Sequence, residues 1–223
     1  MPSSRYERAA RSAGYRVIAG VDEAGRGALF GPVFAAAVVL DPERPIRGLD
    51  DSKQLEPERR EVLAERIRAR AVAWAVGAAD AFEIDQINIL EASRLAMKRA
   101  IQRLPAACDY LLIDFVSLDV ELPQKPLVHG DAVCRSIAAA SILANVERDR
   151  ALRQWDAVFP DFALASNKGY SSPDHLKALE RLGPTMLHRF SFAPVRKASR
   201  HDVWRGYPSL PQVPSQRRLF ACP

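Results

Sequence analysis

Val21-Asp22-Glu23-Ala24-Gly25-Arg26-Gly27 sets two adjacent carboxylates at the end of an apolar run and follows them with a glycine–arginine–glycine turn. Two acids held about 4 Å apart in an effective dielectric near 20 repel by about 4 kcal/mol. A divalent cation or a shared proton offsets such repulsion. The glycines let backbone N–H groups come close to a ligand, and arginine suits phosphate. Together these residues point to metal-assisted chemistry on a phosphate ester. Two further acids join them. Asp114 ends the apolar run Leu111-Leu112-Ile113, and Asp131 lies in His129-Gly130-Asp131-Ala132, just ahead of a helical segment. An acid there also suits the positive end of a helix, and a lone acid at a strand end is more often a turn cap than a ligand. The Asp22–Glu23 pair beside glycine-rich backbone reverses those odds. Four carboxylates with few histidines and no thiol cluster favour Mg²⁺ or Mn²⁺ over Zn²⁺. Two such ions about 4 Å apart can clamp the attacking and leaving oxygens of a phosphodiester hydrolysis.

The elements that must position these acids are legible in the apolar patterning. Residues 16–21 and 33–40 read as strands, 57–70 as a helix with Pro57 at its first position, and 71–79 as a third strand. A long amphipathic helix is expected over 84–104, with Ile87, Leu90, Leu95, Met97 and Ile101 as its apolar stripe. Residues 110–114 and 126–129 read as two more strands, and 137–152 and 173–182 as helices. Meandering strands followed by strands separated by helices predict an α/β fold with a mixed sheet. In such folds chemistry gathers at the carboxyl ends of parallel strands. If the strands ending at Asp22 and Asp114 are neighbours, their carboxylates converge.

The chain has 223 residues, 48% hydrophobic and 26% charged, which fits one globular domain with a sizeable core. No apolar run reaches the roughly 18 residues of a membrane helix, so no membrane association is expected. Met1-Pro2-Ser3-Ser4-Arg5 lacks the apolar stretch of a secretory signal. Cys108, Cys134 and Cys222 form no C-x-x-C pair. A cytoplasmic location is expected, and a monomer. The net charge of +5 mildly favours an anionic partner such as nucleic acid. The division read from the sequence is a lead-in over 1–15, a catalytic domain over 16–197 and a basic, proline-rich tail over 198–223.

The ordered set of motifs closely resembles the ribonuclease HII family, the type 2 ribonucleases H. It runs from Asp22-Glu23-Ala24-Gly25-Arg26-Gly27 and Gly31-Pro32-Val33 through Leu49-Asp50-Asp51-Ser52-Lys53 and Ile84-Asp85-Gln86-Ile87-Asn88. It continues through Gly130-Asp131, Ser136-Ile137-Ala138-Ala139-Ala140-Ser141, Arg148-Asp149, Lys168-Gly169-Tyr170 and Ser191-Phe192-Ala193-Pro194-Val195. The resemblance implies a ribonuclease H-like fold: a five-stranded mixed sheet flanked by helices, with a C-terminal helical extension. It implies an endoribonuclease that cuts the RNA strand of RNA–DNA hybrids and nicks duplex DNA 5′ of an embedded ribonucleotide, with two divalent ions, Mg²⁺ or Mn²⁺. It assigns Asp22, Glu23, Asp114 and Asp131 as catalytic metal ligands. Gly25, Arg26 and Gly27 would read the ribose 2′-hydroxyl, and Tyr170 would pack on that ribose. Ser52, Lys53, Ser141 and Asn145 would face backbone phosphates. The chain departs from the family pattern at Phe115 (usually glycine), His129 and Asn145 (usually lysine) and Asn167 (usually histidine).

Other residues read more plainly. His175 is expected on the surface, His188 and Arg189 as anchors of the C-terminal region, and Arg59, Arg60, Arg66, Arg68 and Arg70 as a solvated helix face. Gln216-Arg217-Arg218-Leu219-Phe220 resembles the short peptides that dock on bacterial replication sliding clamps. Two other classes compete with the nuclease: a non-catalytic nucleic-acid-binding module and a nucleotide-phosphate site on the glycine-rich turn. Four retained acids disfavour the first, and the lack of a lysine after the glycines disfavours the second.

Overall fold

The computed structural model describes residues 1–199. Cys222 and the 216–220 motif lie outside the described residues. Strands β1 (Ile18–Ala24), β2 (Val33–Val39), β3 (Ala73–Ala79), β4 (Tyr110–Asp114) and β5 (Gln124–Leu127) form one sheet in the order β3-β2-β1-β4-β5. β1 runs antiparallel to β2, and β2 to β3, while β4 lies parallel to both β1 and β5. This is the mixed sheet expected from the sequence, with the strands that carry Asp22 and Asp114 side by side at its centre.

The helices are α1 (Arg5–Ser12), α2 (Pro57–Arg70), α3 (Ala81–Ile87), α4 (Ile89–Gln102), α5 (Gly130–Val133), α6 (Arg135–Val158), α7 (Leu164–Asn167), α8 (Pro173–Leu182) and α9 (Ala193–Ala198). Strand side chains alternate between faces, and the two faces of the sheet are covered separately. Ala35, Ala37 and Val39 join Ala92, Ala96, Met97 and Ala100 of α4 in one core. Ala36 and Val38 join Leu63 and Ile67 of α2 and residues 138–140 and 142–144 of α6 in the other. A third core, built from Phe30, Leu152, Phe162, Leu164, Leu179 and Val195, holds the C-terminal helices against the end of α6.

Several expected boundaries move, the helix expected over 137–152 extending to Arg135–Val158, and three of the shifts have a plain physical reason. β1 runs on to Ala24, because pairing with β2 continues through Ala24 and Phe34. Helix 84–104 is instead two helices. Asn88, at φ 70°, breaks the run and its side chain accepts from the N–H groups of Leu90 and Glu91, so it caps α4. β5 is Gln124–Leu127 rather than 126–129, and His129 takes a left-handed φ of 53° that ends the strand. The lead-in forms α1, whose buried Glu7 accepts from Ser136 N at 2.8 Å and so caps the start of α6.

Small residues set how closely helices approach the sheet. A Cβ on Gly20 in β1 would lie 2.1 Å from the carbonyl carbon of Ser136, so α6 rests directly on the backbone of β1. Gly20→Ala is therefore expected to destabilise the protein by roughly 1–3 kcal/mol, the usual cost of overpacking. Denaturant unfolding followed by circular dichroism checks this; an unchanged midpoint would mean that α6 is not seated on β1 this tightly.

Candidate active site

The ends of the central strands gather the acids. Asp22, Glu23 and Asp114 each offer a carboxylate oxygen, and these oxygens lie within 4.8 Å of one another. Asp22 is buried, and Asp114 is held by Gly130 N–H, which donates to its Oδ1 at 2.6 Å. A side chain on Gly130 would meet Ile137 Cδ1 at 2.7 Å and Asp114 Oδ1 at 3.1 Å, so the approach needs glycine. Asp131, in the first turn of α5, stands beside this group. Its Oδ2 lies 3.6 Å from Lys53 Nζ, and its Oδ1 accepts from Ala132 N–H at 2.9 Å.

Burial, and then the neighbouring charges of Glu23 and Asp114, raise the Asp22 carboxyl well above its ordinary range; the Ser141 hydroxyl opposes this. Burial also raises Glu23, against the nearby Arg26 guanidinium at 3.3 Å, and raises Asp114 against the Gly130 hydrogen bond. Partial burial works to lower the Lys53 ammonium, but Asp131, Asp51, Asp22 and Asp114 together raise it. One further sign of an absent partner is Glu23 Oε2, which is buried without a hydrogen bond. Crowded hard oxygens, an orphaned carboxylate oxygen and raised carboxyl pKa values all fit a divalent cation.

Around the acids, the loop before α2 is tied to α6. Ser52 is buried, its Oγ lies 3.0 Å from Ser141 Oγ, and Asn145 Nδ2 donates to Ser52 Oγ and to Ser141 O, each at 3.0 Å. Asn145 thus knots the loop to the helix as well as facing the cleft. Tyr170 is 42% exposed, and a Cβ on Gly27 would sit 3.7 Å from its ring. One cleft of about 230 Å³ is lined by Asp22, Glu23, Gly25, Arg26, Gly27, Ser52, Lys53, Asp114, Asp131, Ser141, Asn145 and Tyr170, with Ala24 completing the lining. Every site residue read from the sequence therefore lies on this one cleft. Phe115 does not line it: its side chain is 63% exposed, at a left-handed φ of 58°.

Sequence reasoning underweighted the residues behind the cleft. Arg148 is buried, donates from Nη2 to Lys168 O at 2.7 Å and sits 5.1 Å from the Tyr170 ring centroid. A Cβ on Gly25, whose φ is +91°, would strike Arg148 Nε at 2.1 Å. Arg189 is fully buried and donates to Gly31 O and Arg26 O, each at 2.9 Å, which braces the glycine-rich turn from the C-terminal region. Burial, then repulsion from Arg148, lowers its guanidinium to about 9. Spacing held a clue, since Ser141, Asn145 and Arg148 recur at i, i+4 and i+7, one face of a helix. His175 is buried rather than on the surface: Nε2 meets His188 Nε2 at 3.1 Å and Nδ1 meets Tyr170 O at 2.9 Å. On α2, Arg60 and Arg68 pair with Asp149 and Glu147 of α6, so they lace two helices together instead of facing solvent.

A mixed sheet of this order, with carboxylates converging at the ends of its central parallel strands beside a phosphate-suited turn, defines a metal-dependent nuclease of the ribonuclease H-like fold. The family model described as Ribonuclease HII matches residues 19–195. A curated Ribonuclease HII from Solibacter usitatus (strain Ellin6076) is 62% identical over 197 residues, 88% of this chain and 86% of that protein. The crystal structure of ribonuclease H2 from Pyrococcus horikoshii OT3 aligns with a TM-score of 0.71 at 27% identity, over 86% of this chain and all of that one. The ribonuclease HII in a PCNA complex from Archaeoglobus fulgidus aligns with a TM-score of 0.66 at 28% identity, over 78% and 93% of the two chains. The chain belongs to the ribonuclease HII family, whose members are metal-dependent endoribonucleases acting on RNA–DNA hybrids.

The raised carboxyls carry a stability consequence. A carboxyl whose pKa is higher folded than unfolded destabilises the protein once ionised, and this cost vanishes as pH falls through the folded value toward the unfolded one. With metal chelated, Asp22→Asn is expected to melt at a higher temperature than the parent at pH 8, and the gain should shrink toward pH 4. Thermal melts with and without Mg²⁺ check both arms. A variant less stable than the parent at every pH would contradict the electrostatic reading.

Proposed function

We propose that Asp22, Glu23, Asp114 and Asp131 hold two Mg²⁺ or Mn²⁺ ions and that the cleft cuts the phosphodiester on the 5′ side of a ribonucleotide, within RNA–DNA hybrids and singly within duplex DNA. The carrying observation is the cleft itself, where three clustered carboxylates share a lining with the glycine–arginine–glycine turn and the Tyr170 ring. Bound divalent ions supply charge stabilisation and an activated water in such hydrolyses.

This chain's residues do the rest. Backbone groups of the 25–27 turn, held from behind by Arg189, meet the 2′-hydroxyl, the group that distinguishes RNA from DNA. A site built to bond a hydroxyl rejects the analogue lacking it far more strongly than a merely shaped pocket does. Tyr170, backed by Arg148, packs on the sugar. Lys53 keeps its charge at working pH, because four carboxylates raise its ammonium, and so offers a standing contact to phosphate. Ser141 and Asn145 present polar groups to the strand from α6, and Ser52 does so from the loop.

A nicking assay on duplex DNA with one ribonucleotide tests this reading. Activity should require Mg²⁺ or Mn²⁺ and vanish with chelator. Asp131→Asn should lose at least about a hundredfold in kcat, the scale of removing one preorganised charge-stabilising group. Tyr170→Ala should cut cleavage at the single ribonucleotide more than it weakens binding to plain duplex. Near-normal turnover of Asp131→Asn at saturating metal would remove it from the ligand set.

We also propose that Gln216-Arg217-Arg218-Leu219-Phe220 tethers the enzyme to a replication sliding clamp. The peptide-like motif and the clamp complex of the Archaeoglobus fulgidus protein support this. Deleting residues 215–223 should abolish capture by a purified clamp while hydrolysis of a short hybrid continues; persistent capture would place the tether elsewhere.

A further inference from the structure

We infer that the arginine-lined surface between α1, the loop over 41–47 and the start of α6 is a second contact for the backbone of the bound duplex, outside the cleft. This rests on the reading of the cleft as a site for duplex nucleic acid. Arg8, Arg11, Arg44 and Arg135 line a hollow of about 220 Å³. A second, more open hollow lined by Arg44, Arg47 and Arg70 adjoins it through Arg44 and Pro45.

The arginines of this surface differ from those that lace α2 to α6. Arg60, Arg68, Arg150 and Arg153 each pair with a carboxylate. The six here make no ion pair among the described residues, although Arg135 donates to Ile46 O. Three carboxylates share the region. Glu7 is buried and its Oε1 caps α6, Asp41 Oδ1 accepts from Glu43 N–H at 2.8 Å, and Glu43 is exposed. Glu7 Oε2 has no hydrogen-bond partner. Six arginines against three acids leave a positive surface with guanidinium forks free to meet phosphate oxygens.

Two elements join this surface to the cleft. Helix α6 begins at Arg135 and carries Ser141 into the cleft; six residues at 1.5 Å each span about 9 Å. The loop holding Arg44 and Arg47 runs on to Ser52 and Lys53, and the Met1 amino group lies 4.0 Å from Asp50 Oδ1 along that path. At about 3.4 Å per base pair, those roughly 9 Å along α6 from Ser141 to Arg135 correspond to about three base pairs of a duplex seated in the cleft.

The test compares the full-length protein with the Arg8→Ala/Arg44→Ala double variant. Both side chains are exposed. Binding to a plain DNA duplex of about 24 base pairs, followed by fluorescence anisotropy from 50 to 200 mM salt, should show the slope of log K against log salt shallower by about two. A fourfold rise in salt should then weaken the variant about tenfold less than the parent. The kcat for nicking at saturating substrate should be unchanged while KM rises. Arg8→Ala and Arg44→Ala alone, each lowering the slope by about one, keep the measurement readable should the double variant unfold. An unchanged slope overturns the proposal and leaves these arginines to an acidic protein partner. A fall in kcat without a change in slope also overturns it. Should the parent fail to nick at ribonucleotides while the slope falls as expected, the reading of the cleft fails and that of the arginine surface stands.

Discussion

Three carboxylates crowded into a largely buried space are the constraint around which this molecule is built. Without a cation they repel one another and resist ionisation. Much of the local structure holds them in place against that tendency. β1 and β4 lie side by side and parallel, so two acids sit toward the same end of the central strands. Gly130 brings an N–H to Asp114, Arg26 leans on Glu23, and Lys53 leans on Asp131. Such a centre is stable when charge arrives from outside, which makes affinity for a hard cation a property of the fold as much as of the carboxylates themselves.

Helix α6 is the beam that connects this centre to the rest of the chain. Its start is capped by Glu7 from α1 and pressed onto β1 at Gly20. One face then presents Ser141, Asn145 and Arg148 in succession, the first two to the cleft and the third to the underside of Tyr170. Its far end supports the C-terminal helices through Leu152 and Trp155. A displacement of this one helix would move loop, turn and tyrosine together.

Much of this was readable from residue order. Asp22, Glu23, Asp114 and Asp131 were visible because acids at the ends of apolar runs break the expected pattern, but that the strands carrying two of them are neighbours came only with the sheet order. The helix of residues 57–70 announces itself by Pro57 and its apolar spacing. What stayed hidden depends on non-local contacts. The break at Asn88 is a backbone conformation that the apolar stripe on either side conceals. The pairing of Arg60 and Arg68 with acids on α6 depends on how two helices pack. The burial of His175 follows from its docking on His188, thirteen residues on.

Arg189 holds the glycine-rich turn by the carbonyls of Arg26 and Gly31, reaching back across almost the whole described chain. The order of synthesis therefore becomes part of how the enzyme matures. A nascent chain acquires its four acids well before it acquires Arg189, the brace for the glycine-rich turn. Formation of the finished cleft waits on the docking of the C-terminal helices, a long-range contact of the kind that closes late in folding. The turn is thus the last part of the cleft to be braced as the chain emerges from the ribosome, and it depends on a residue that the carboxyl-terminal third supplies.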